Sequence, residues 1–178
     1  MFGYNVNEAD IMQYLIRKSE RKDCGDIEHI ITLGWNETYK GLVPDLFLEE
    51  LKNNEIDRAK KSFDRFDENN NNQLVLEVGG KVVGFVKYGK SIFDIYENCG
   101  EIFALYILKE YHGHGFGRKL VDNARRELKL LGYDEMVIAC LKKNPSNEFY
   151  KHIGGIYIKD VLYEKLNLLE NLYYFKSS

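Results

Sequence analysis

Apolar residues at alternate positions predict a series of β-strands along this chain. The clearest run, residues 74–78, alternates with period two, and Gly79-Gly80 after it is a tight-turn signal before a return strand at 82–88. The other predicted strands lie at residues 14–18, 100–108, 135–141, 156–163 and 168–175. The helices predicted between them indicate that these strands form one central sheet.

Apolar residues at helical spacing predict two helices in the C-terminal half. Residues 115–131 carry the strongest pattern, and Gly132 ends it. Its predicted buried stripe consists of Leu120, Val121, Ala124, Leu128 and Leu131. A shorter helix is predicted at residues 145–153, where Gly154-Gly155 follows.

The N-terminal half is predicted to contain three further helices. Asp26 is a candidate N-cap for a helix that begins near Ile27. Pro44 and Asp45 open a second helix that runs through Leu51. The side chains expected to face inward from this second helix are Leu46, Phe47 and Leu51. A charged third helix at 55–66 precedes a polar loop at 67–72.

The order of these elements predicts a mixed α/β (α+β) fold around one sheet. No internal repeat or linker divides the 178 residues, so we expect a single domain over residues 1–178. Residues 1–12 carry no clear pattern and are expected to be an N-terminal extension.

Composition and charge exclude several classes of protein. Hydrophobic residues make up 44% of the chain, which indicates a folded domain, and the net charge of −3 argues against a general nucleic-acid binder. The cysteines and histidines show no metal-type spacing, so no metal site is expected, and the three cysteines indicate free thiols in a cytoplasmic protein. No apolar run is long enough for a membrane span, and no signal peptide is expected.

The most informative segment is a glycine-rich loop between the strand at 100–108 and the helix at 115–131. Gly113, Gly115 and Gly117 alternate there, so bare backbone N–H groups stand at the positive end of a helix dipole. Such a loop favours a phosphate group such as the pyrophosphate of a cofactor. A glycine-rich turn that binds nothing is equally consistent with the loop alone.

Two familiar phosphate loops are excluded by spacing. A Walker A loop requires GxxxxGK followed by Ser or Thr, whereas Leu120 follows Lys119 here. A dinucleotide fingerprint requires GxGxxG at the first strand of a βαβ unit, whereas Arg118 takes the third glycine position and the loop follows a later strand. The remaining interpretation is a loop whose amides surround a pyrophosphate.

The loop and a second motif resemble the acetyl-CoA signatures of the GNAT N-acetyltransferase superfamily. That family carries Gln/Arg-x-x-Gly-x-Gly/Ala after a strand; Gly115 and Gly117 match its glycines, and His112 takes the Gln/Arg position. About 30 residues later, Asn144 precedes a short helix that carries the pair Phe149-Tyr150 and ends in glycine, as in the family's second signature. The order of elements agrees as well.

The resemblance implies a fold and a site for acetyl-CoA. The fold would be a mostly antiparallel mixed sheet of about seven strands, splayed between the fourth and fifth strands and flanked by helices. Pantetheine would lie in that gap, and the glycine loop would hold the pyrophosphate. The implied cofactor-binding residues are Leu105, Tyr106, Ile107, His112, Gly113, His114, Gly115, Phe116, Gly117, Arg118, Asn144 and Tyr150.

The resemblance also implies catalytic residues. A tyrosine pKa of about 10 suits Tyr150 as the general acid for a departing thiolate, although helical spacing alone favours a buried aromatic. Glu101, at the start of the cofactor strand, is the candidate base, and alternation places it on the face of Phe103, Leu105 and Ile107. A solvated strand end explains Glu101 equally well.

Other candidate residues have two interpretations each. Asn144 would contact the pantetheine arm or fix the loop, and both fit a helix cap. His112 and His114 are expected to contact an anion or solvent rather than act as bases. Residues that could wall an acceptor pocket or attract a cation are Trp35, Glu37, Tyr39, Asp45, Glu49, Tyr88 and the region 163–174, although core and solvated positions fit them as well.

The function implied is transfer of an acetyl group from acetyl-CoA to a primary amine by direct attack on the thioester. The amine is expected to belong to a small molecule, a polyamine or another amino compound. No nucleic-acid or membrane partner is expected, and a homodimer is left open. The alternatives are a non-catalytic module that binds acyl-CoA and an acyltransferase for a longer acyl chain.

Overall fold

Seven strands form one mixed sheet in the part of the chain that the computed structural model describes, residues 12–176. The strands are β1 (Tyr14–Lys18), β2 (Gln73–Val78), β3 (Lys81–Lys90), β4 (Cys99–Ile107), β5 (Glu135–Leu141), β6 (Ile156–Tyr163) and β7 (Leu168–Phe175). Their order is β1-β2-β3-β4-β5-β7-β6, and β4 with β5 is the parallel pair in this sheet. The predicted mixed, mostly antiparallel sheet is therefore confirmed.

Helices cover both faces of the sheet. They are α1 (Cys24–Thr38), α2 (Asp45–Asn53), α3 (Glu55–Asp64), α4 (Phe116–Leu130) and α5 (Ser146–His152). On one face α4 buries Leu120 and Leu128 against β2, β3 and β4, as its amphipathic stripe predicts. On the other face α1 packs Ile27 and Ile30 against β2 and β3. All but one residue of the predicted N-terminal extension, residues 1–12, lie outside the described residues.

Three predicted details of the helices are wrong. α1 begins at Cys24, so Asp26 lies in its first turn and does not cap it. In α2, Leu46 is 66% exposed and Leu48 is 4% exposed, because the face that packs inward carries Phe47, Leu48 and Leu51 at helical spacing and Leu46 lies off that face. Leu131 is half-exposed, because α4 ends at Leu130 and the chain leaves the buried stripe there.

The sheet opens between β4 and β5. These strands pair only from Cys99 opposite Glu135 to Ile102 opposite Ile138. Beyond that point β4 stays with β3, while β5 continues along β7 to Leu141. The predicted splay between the fourth and fifth strands is confirmed, and it leaves one edge of β4 without a neighbouring strand.

A β-bulge in β4 changes which of its residues face α4. Ile102 pairs with Tyr88, and Ala104 pairs with Lys87, so Phe103 is an extra residue. One extra residue moves every later side chain to the opposite face.

The bulge overturns one prediction made from strand alternation. Leu105 and Ile107 pack on the α4 side of the sheet, together with Ile102. Glu101 precedes the bulge and points to the opposite face, where its pairing partner Val137 is buried. Glu101 therefore does not share a face with Leu105 and Ile107, because strict alternation does not hold across the extra residue.

Candidate active site

The gap between β4 and β5 is a cleft that passes through the sheet. On the α4 side it forms a cavity of about 510 Å³ between the glycine-rich loop and α5. On the α1 side it opens among aromatic and acidic residues. The residues that border both sides are Leu105, Ile107, His112, Ser146 and Tyr150. A molecule lying along β4 can therefore reach from one side of the sheet to the other.

Alternate backbone N–H groups of β4 point into this gap. Leu108 donates its N–H to β3 at 2.8 Å, and in an antiparallel ladder the residue two positions earlier points the same way. The N–H of Tyr106 is therefore directed to β3. Those of Leu105 and Ile107 point into the gap, where β5 has separated. Unpaired backbone donors of this kind suit an extended ligand with amide groups.

The glycine-rich loop reaches the cleft directly before α4. Gly113 and Gly115 have φ of +80° and +75°, and a Cβ at Gly115 would meet no atom within 4 Å. Phe116 buries its ring in the core, so only its backbone belongs to the loop surface. Gly117 serves a different purpose, because a Cβ there would lie 3.0 Å from the ring of Phe149. The loop thus presents bare amides at the N-terminus of α4, a suitable site for phosphate.

Two polar side chains brace this loop. His112 is exposed, and its Nε2 donates to the Ile107 carbonyl at 2.8 Å, which fixes the proton on that nitrogen because a carbonyl only accepts. Arg118 donates to the His152 carbonyl of α5 at 3.4 Å and remains exposed at the rim of the cavity. His114 is exposed beside the loop. His112, at the family's Gln/Arg position, thus ties the loop to the end of β4.

Asn144 connects three elements at the cleft. Its Oδ1 accepts the Ser146 N–H at 2.8 Å at the start of α5, so its Nδ2 is the donor to the Tyr39 hydroxyl at 2.6 Å. Tyr39 closes the C-terminal end of α1. These two hydrogen bonds tie the loop before α5 to the end of α1, and the role of Asn144 toward a pantetheine arm stays a prediction.

Tyr150 lies where the two sides of the cleft meet. Its side chain is buried, and its hydroxyl has no hydrogen-bond partner among residues 12–176. No fully buried side-chain polar atom in those residues lacks a partner, so this hydroxyl faces the open space of the cleft. Burial raises the pKa of Tyr150 well above its usual value. The phenol therefore stays protonated and is available as a donor.

Glu101 lies deeper than the sequence indicated. It is 4% exposed, and its Oε2 accepts from Ser91 Oγ at 3.2 Å and from Ile92 N at 3.0 Å. Burial raises the pKa of Glu101, while both hydrogen bonds oppose that rise. Glu101 is not among the residues that line the cleft, and it lies opposite Val137, where β4 and β5 are still paired.

The α1 side of the cleft combines aromatic and acidic side chains. Besides His112 and Tyr150, which border both sides, the residues there with an aromatic or carboxylate group are Trp35, Glu37, Tyr39, Phe103, Tyr106, Tyr163 and Glu170. Three predicted members are absent: Asp45 and Glu49 are exposed on α2, and Tyr88 is buried on the α4 side. The Tyr88 hydroxyl instead joins Lys18 and Glu127, because the pleat of β3 directs it to that face.

Glu170 borders the cleft within the region 163–174, which the sequence indicated only as a whole, without a role for this carboxylate. It sits on β7 on the face of Leu168 and Leu172, which pack in apolar clusters on that side. Burial raises its pKa to about 7, and the charge of Glu101 adds to the effect. A carboxylate at an inward position of an otherwise apolar stripe was the available signal in the sequence.

The cysteines are poor candidates for a nucleophile at this site. Cys140 borders the cleft, but burial raises the pKa of its thiol to about 12, so the nucleophilic thiolate is scarcely populated near neutral pH. Cys24, Cys99 and Cys140 are all buried and form no disulfide with one another.

The sequence matches known acetyltransferases. Residues 35–154, more than half of the chain, match the family model described as "Acetyltransferase (GNAT) family". The uncharacterized N-acetyltransferase YuaI of Bacillus subtilis (strain 168) is 26% identical over 164 residues, which cover 82% of this chain and 89% of that protein. An uncharacterized N-acetyltransferase of Archaeoglobus fulgidus is 28% identical over 113 residues, 61% of this chain and 69% of that protein.

Solved structures share the fold. The PaiA N-acetyltransferase of Thermoplasma acidophilum, in complex with coenzyme A, superposes with a TM-score of 0.72 at 20% identity over 94% of this chain and all of that one. YncA of Salmonella typhimurium, with its cofactor acetyl-CoA, gives 0.63 at 20% identity over 92% of this chain and 94% of that one. This protein therefore belongs to the GNAT family of acetyltransferases, enzymes that transfer an acyl group and use acetyl-CoA as cosubstrate.

Proposed function

We propose that this protein transfers the acetyl group of acetyl-CoA to the primary amine of a small molecule by direct attack on the thioester. The observation that carries the proposal is the cleft through the sheet, with unpaired backbone donors of β4 on one wall and the free Tyr150 hydroxyl on the other. The same proposal treats residues 1–178 as one N-acetyltransferase domain.

The residues present suit acetyl-CoA. The backbone donors of Leu105 and Ile107 would bind the pantetheine arm and polarise the thioester carbonyl. The amides from Gly113 to Arg118 would hold the pyrophosphate, since a Cβ at Gly115 would project into open space and obstruct that approach. Asn144 would act on the arm indirectly, by holding the loop before α5. Bound acetyl-CoA supplies an activated acyl group.

Tyr150 would supply the proton for the leaving thiolate. Tyr150 would donate its proton to the sulfur as the carbon–sulfur bond breaks, because its raised pKa keeps it protonated up to alkaline pH. The leaving thiolate is the conjugate base of a thiol with a pKa of about 8.5, so accepting a proton is favourable for it. The base role of Glu101 stays a prediction, and its burial away from the cleft speaks for an indirect role.

The α1 side of the cleft fits a small cationic amine. Glu37 and Glu170 supply negative charge there, and Trp35, Tyr39 and Tyr163 supply aromatic walls. No Lys or Arg of the described residues borders this side, so a cation meets no repulsion from a neighbouring one. Aromatic faces and carboxylates together attract ammonium groups, which favours a polyamine or another amino compound.

Location and assembly are part of the proposal. Three buried free cysteines fit a reducing compartment, which supports the cytoplasm. None of the helices in residues 12–176 is both long and apolar enough to span a bilayer. A homodimer stays a prediction.

An acceptor assay with a matched pair of variants tests the proposal. Release of free CoA is followed with acetyl-CoA and longer acyl-CoAs against a panel of amines, and calorimetry measures acetyl-CoA binding. We expect Tyr150→Phe to lower kcat by about 10²-fold or more with little change in acetyl-CoA affinity, because only the proton donor is removed. Tyr157→Phe, an exposed tyrosine on β6, is the control and should keep full activity.

Each failure has a separate meaning. Acetyl-CoA that does not bind at high micromolar concentration contradicts the cofactor site. Binding without transfer to any amine indicates the non-catalytic module. Faster release from a longer acyl-CoA indicates a different acyl donor. A Tyr150→Phe variant that loses acetyl-CoA binding as well as turnover shows that Tyr150 is structural.

A further inference from the structure

Glu170 occupies an unusual position for a carboxylate. Its backbone lies in the middle of the sheet, opposite Leu141 of β5 and Val161 of β6. Its side chain is half-buried and borders the α1 side of the cleft, at the level where β5 has separated from β4. Among residues 12–176, no hydrogen bond or ion pair holds this carboxylate. Half-buried acids are usually paired, so an unpaired one that faces a cleft points to a ligand.

The groups around Glu170 do not neutralise it. The titratable groups near it are Glu101 and Tyr106 on β4, Cys140 on β5, Tyr163 on β6, and Tyr39 directly after α1. Glu37 stands exposed at the rim and adds a second negative charge on this side. The groups that interact with Glu170 are thus neutral or acidic near pH 7, and none is a cation.

The buried Glu101 and the half-buried Glu170 differ in the hydrogen bonds that their carboxylates accept. Glu101 accepts from Ser91 and from the Ile92 N–H, and both bonds stabilise its ionised form. Glu170 receives no such bond, and the charge of Glu101 acts against its ionisation. When two acids interact in this way, the one without donors keeps its proton to higher pH. Glu170 is therefore the member of the pair that exchanges a proton near neutrality.

We propose that Glu170 accepts the proton that the acceptor ammonium must lose before it attacks the thioester, and that Glu101 is a positioning residue that acts through Glu170. The proposal rests on the proposed function and names the base for that reaction. Glu170 lies on the side of the sheet where the amine would enter, whereas Tyr150 stands at the junction with the cofactor side. Base and acid therefore approach the reacting atoms from different directions.

The proton balance of the step is complete. The ammonium gives one proton to the Glu170 carboxylate, and the nitrogen lone pair then forms the new bond to the acyl carbon. The carbon–sulfur bond breaks, and the thiolate takes a proton from Tyr150. The nitrogen loses its second proton as the amide forms, and that proton restores Tyr150. Glu170 releases its proton to water, so each turnover yields one amide, one free thiol and one proton.

A pH profile of kcat/KM tests the assignment with three variants. We expect wild-type activity to fall on the acid side with a midpoint near the pKa of Glu170, about 7. Glu170→Gln should lose about 10²-fold at neutral pH and should then rise about tenfold per pH unit, because only amine that is already neutral can react. Glu101→Gln should keep most activity but move the acid limb to lower pH, since it removes the charge that opposes ionisation of Glu170. Glu164→Gln, an exposed acid in the β6–β7 turn, should match wild type.

A second measurement does not depend on turnover. In the protein without cosubstrate, a ¹³C NMR titration of the glutamate side-chain carboxyls should show one group with a pKa near 7 that Glu170→Gln removes. Activity of Glu170→Gln within about threefold of wild type, with the acid limb retained, would overturn this assignment and leave the proposed function intact. A wild-type protein that acetylates no amine in the panel would overturn both.

Discussion

Replacing Gly34 by alanine tests the contact that shapes the acceptor side of the cleft. Gly34 lies inside α1, and a Cβ there would lie 2.6 Å from Tyr106 Cδ1 and 3.1 Å from Tyr106 Cε1. The first distance is shorter than real carbon contacts allow. The ring of Tyr106 also stacks on Phe85, with centroids 5.8 Å apart, which limits how far it can move.

Two opposing effects set the expected magnitude. Alanine in place of glycine in a helix interior stabilises a protein by about 1 kcal/mol. Forcing an extra atom into a packed contact costs about 1–3 kcal/mol. We therefore expect Gly34→Ala to lower the free energy of unfolding by up to about 2 kcal/mol. Gly25→Ala is the matched control in the same helix: its Cβ would meet no atom within 4 Å, so it should be neutral or stabilising.

Urea unfolding followed by circular dichroism, combined with a double-mutant cycle, provides the measurement. Tyr106→Leu removes the ring that the new methyl group would strike. In that background Gly34→Ala should become stabilising, with a coupling energy of about 1–3 kcal/mol between the two positions. If Gly34→Ala instead behaves like Gly25→Ala in the wild-type background, or destabilises equally without the tyrosine ring, the contact between α1 and Tyr106 is refuted.

Two further predictions concern the cofactor loop and the cleft carboxylate. Gly115→Ala should weaken acetyl-CoA binding at least about tenfold in a folded protein, because the new Cβ keeps the cofactor from the loop backbone. Calorimetry checks this. The control is Gly41→Ala, because Gly41 also has a positive φ and open surroundings but lies outside the loop, so its replacement should leave affinity unchanged. Glu170 has a pKa raised to about 7 in the folded protein, so wild type should lose stability as pH rises from the ordinary glutamate pKa of about 4.3 to about 7, with no further loss above that. The free energy of unfolding of Glu170→Gln, relative to that of wild type, should therefore be about 1–2 kcal/mol higher at pH 8 than at pH 5. This figure is about half of what the full pKa shift would give, because water screens this half-buried group. Urea unfolding of both proteins at both pH values checks it, and the same variant-to-wild-type difference at pH 5 and pH 8 would refute it.

Regular elements could be predicted from local pattern because each apolar run carries its own turn signals. The bounds of β5, β6 and β7 agree with the prediction residue for residue. The hairpin turn at Gly79-Gly80 and the buried stripe of α4 from Leu120 to Leu128 are confirmed for the same reason. Turn residues and periodicity act within a few positions of the chain, so no tertiary knowledge is needed.

Predictions that assumed unbroken regularity were wrong. Strict alternation placed Glu101 on the face of Leu105, but the bulge at Phe103 separates them. Local capping preference named Asp26, whereas Asp23, which precedes α1, is held by Arg17 through an ion pair at 2.7 Å. The bulge depends on pairing with β3, and the Asp23 contact reaches back six residues to Arg17 of β1, so neither follows from strand alternation or capping preference alone.

The sequence by itself determined the order of elements, the glycine-rich loop, and the resemblance that led to acetyl-CoA and to Tyr150. These features are local. A phosphate loop is specified by glycines at the start of a helix, and the predicted proton donor is specified by the tyrosine side chain itself. The tertiary structure alone decided which carboxylate borders the cleft. Glu101 and Glu170 lie far apart in sequence, yet the sheet places them on one face of β4 and β7, with β5 between them, and only there do burial and the charge of Glu101 give them different proton affinities.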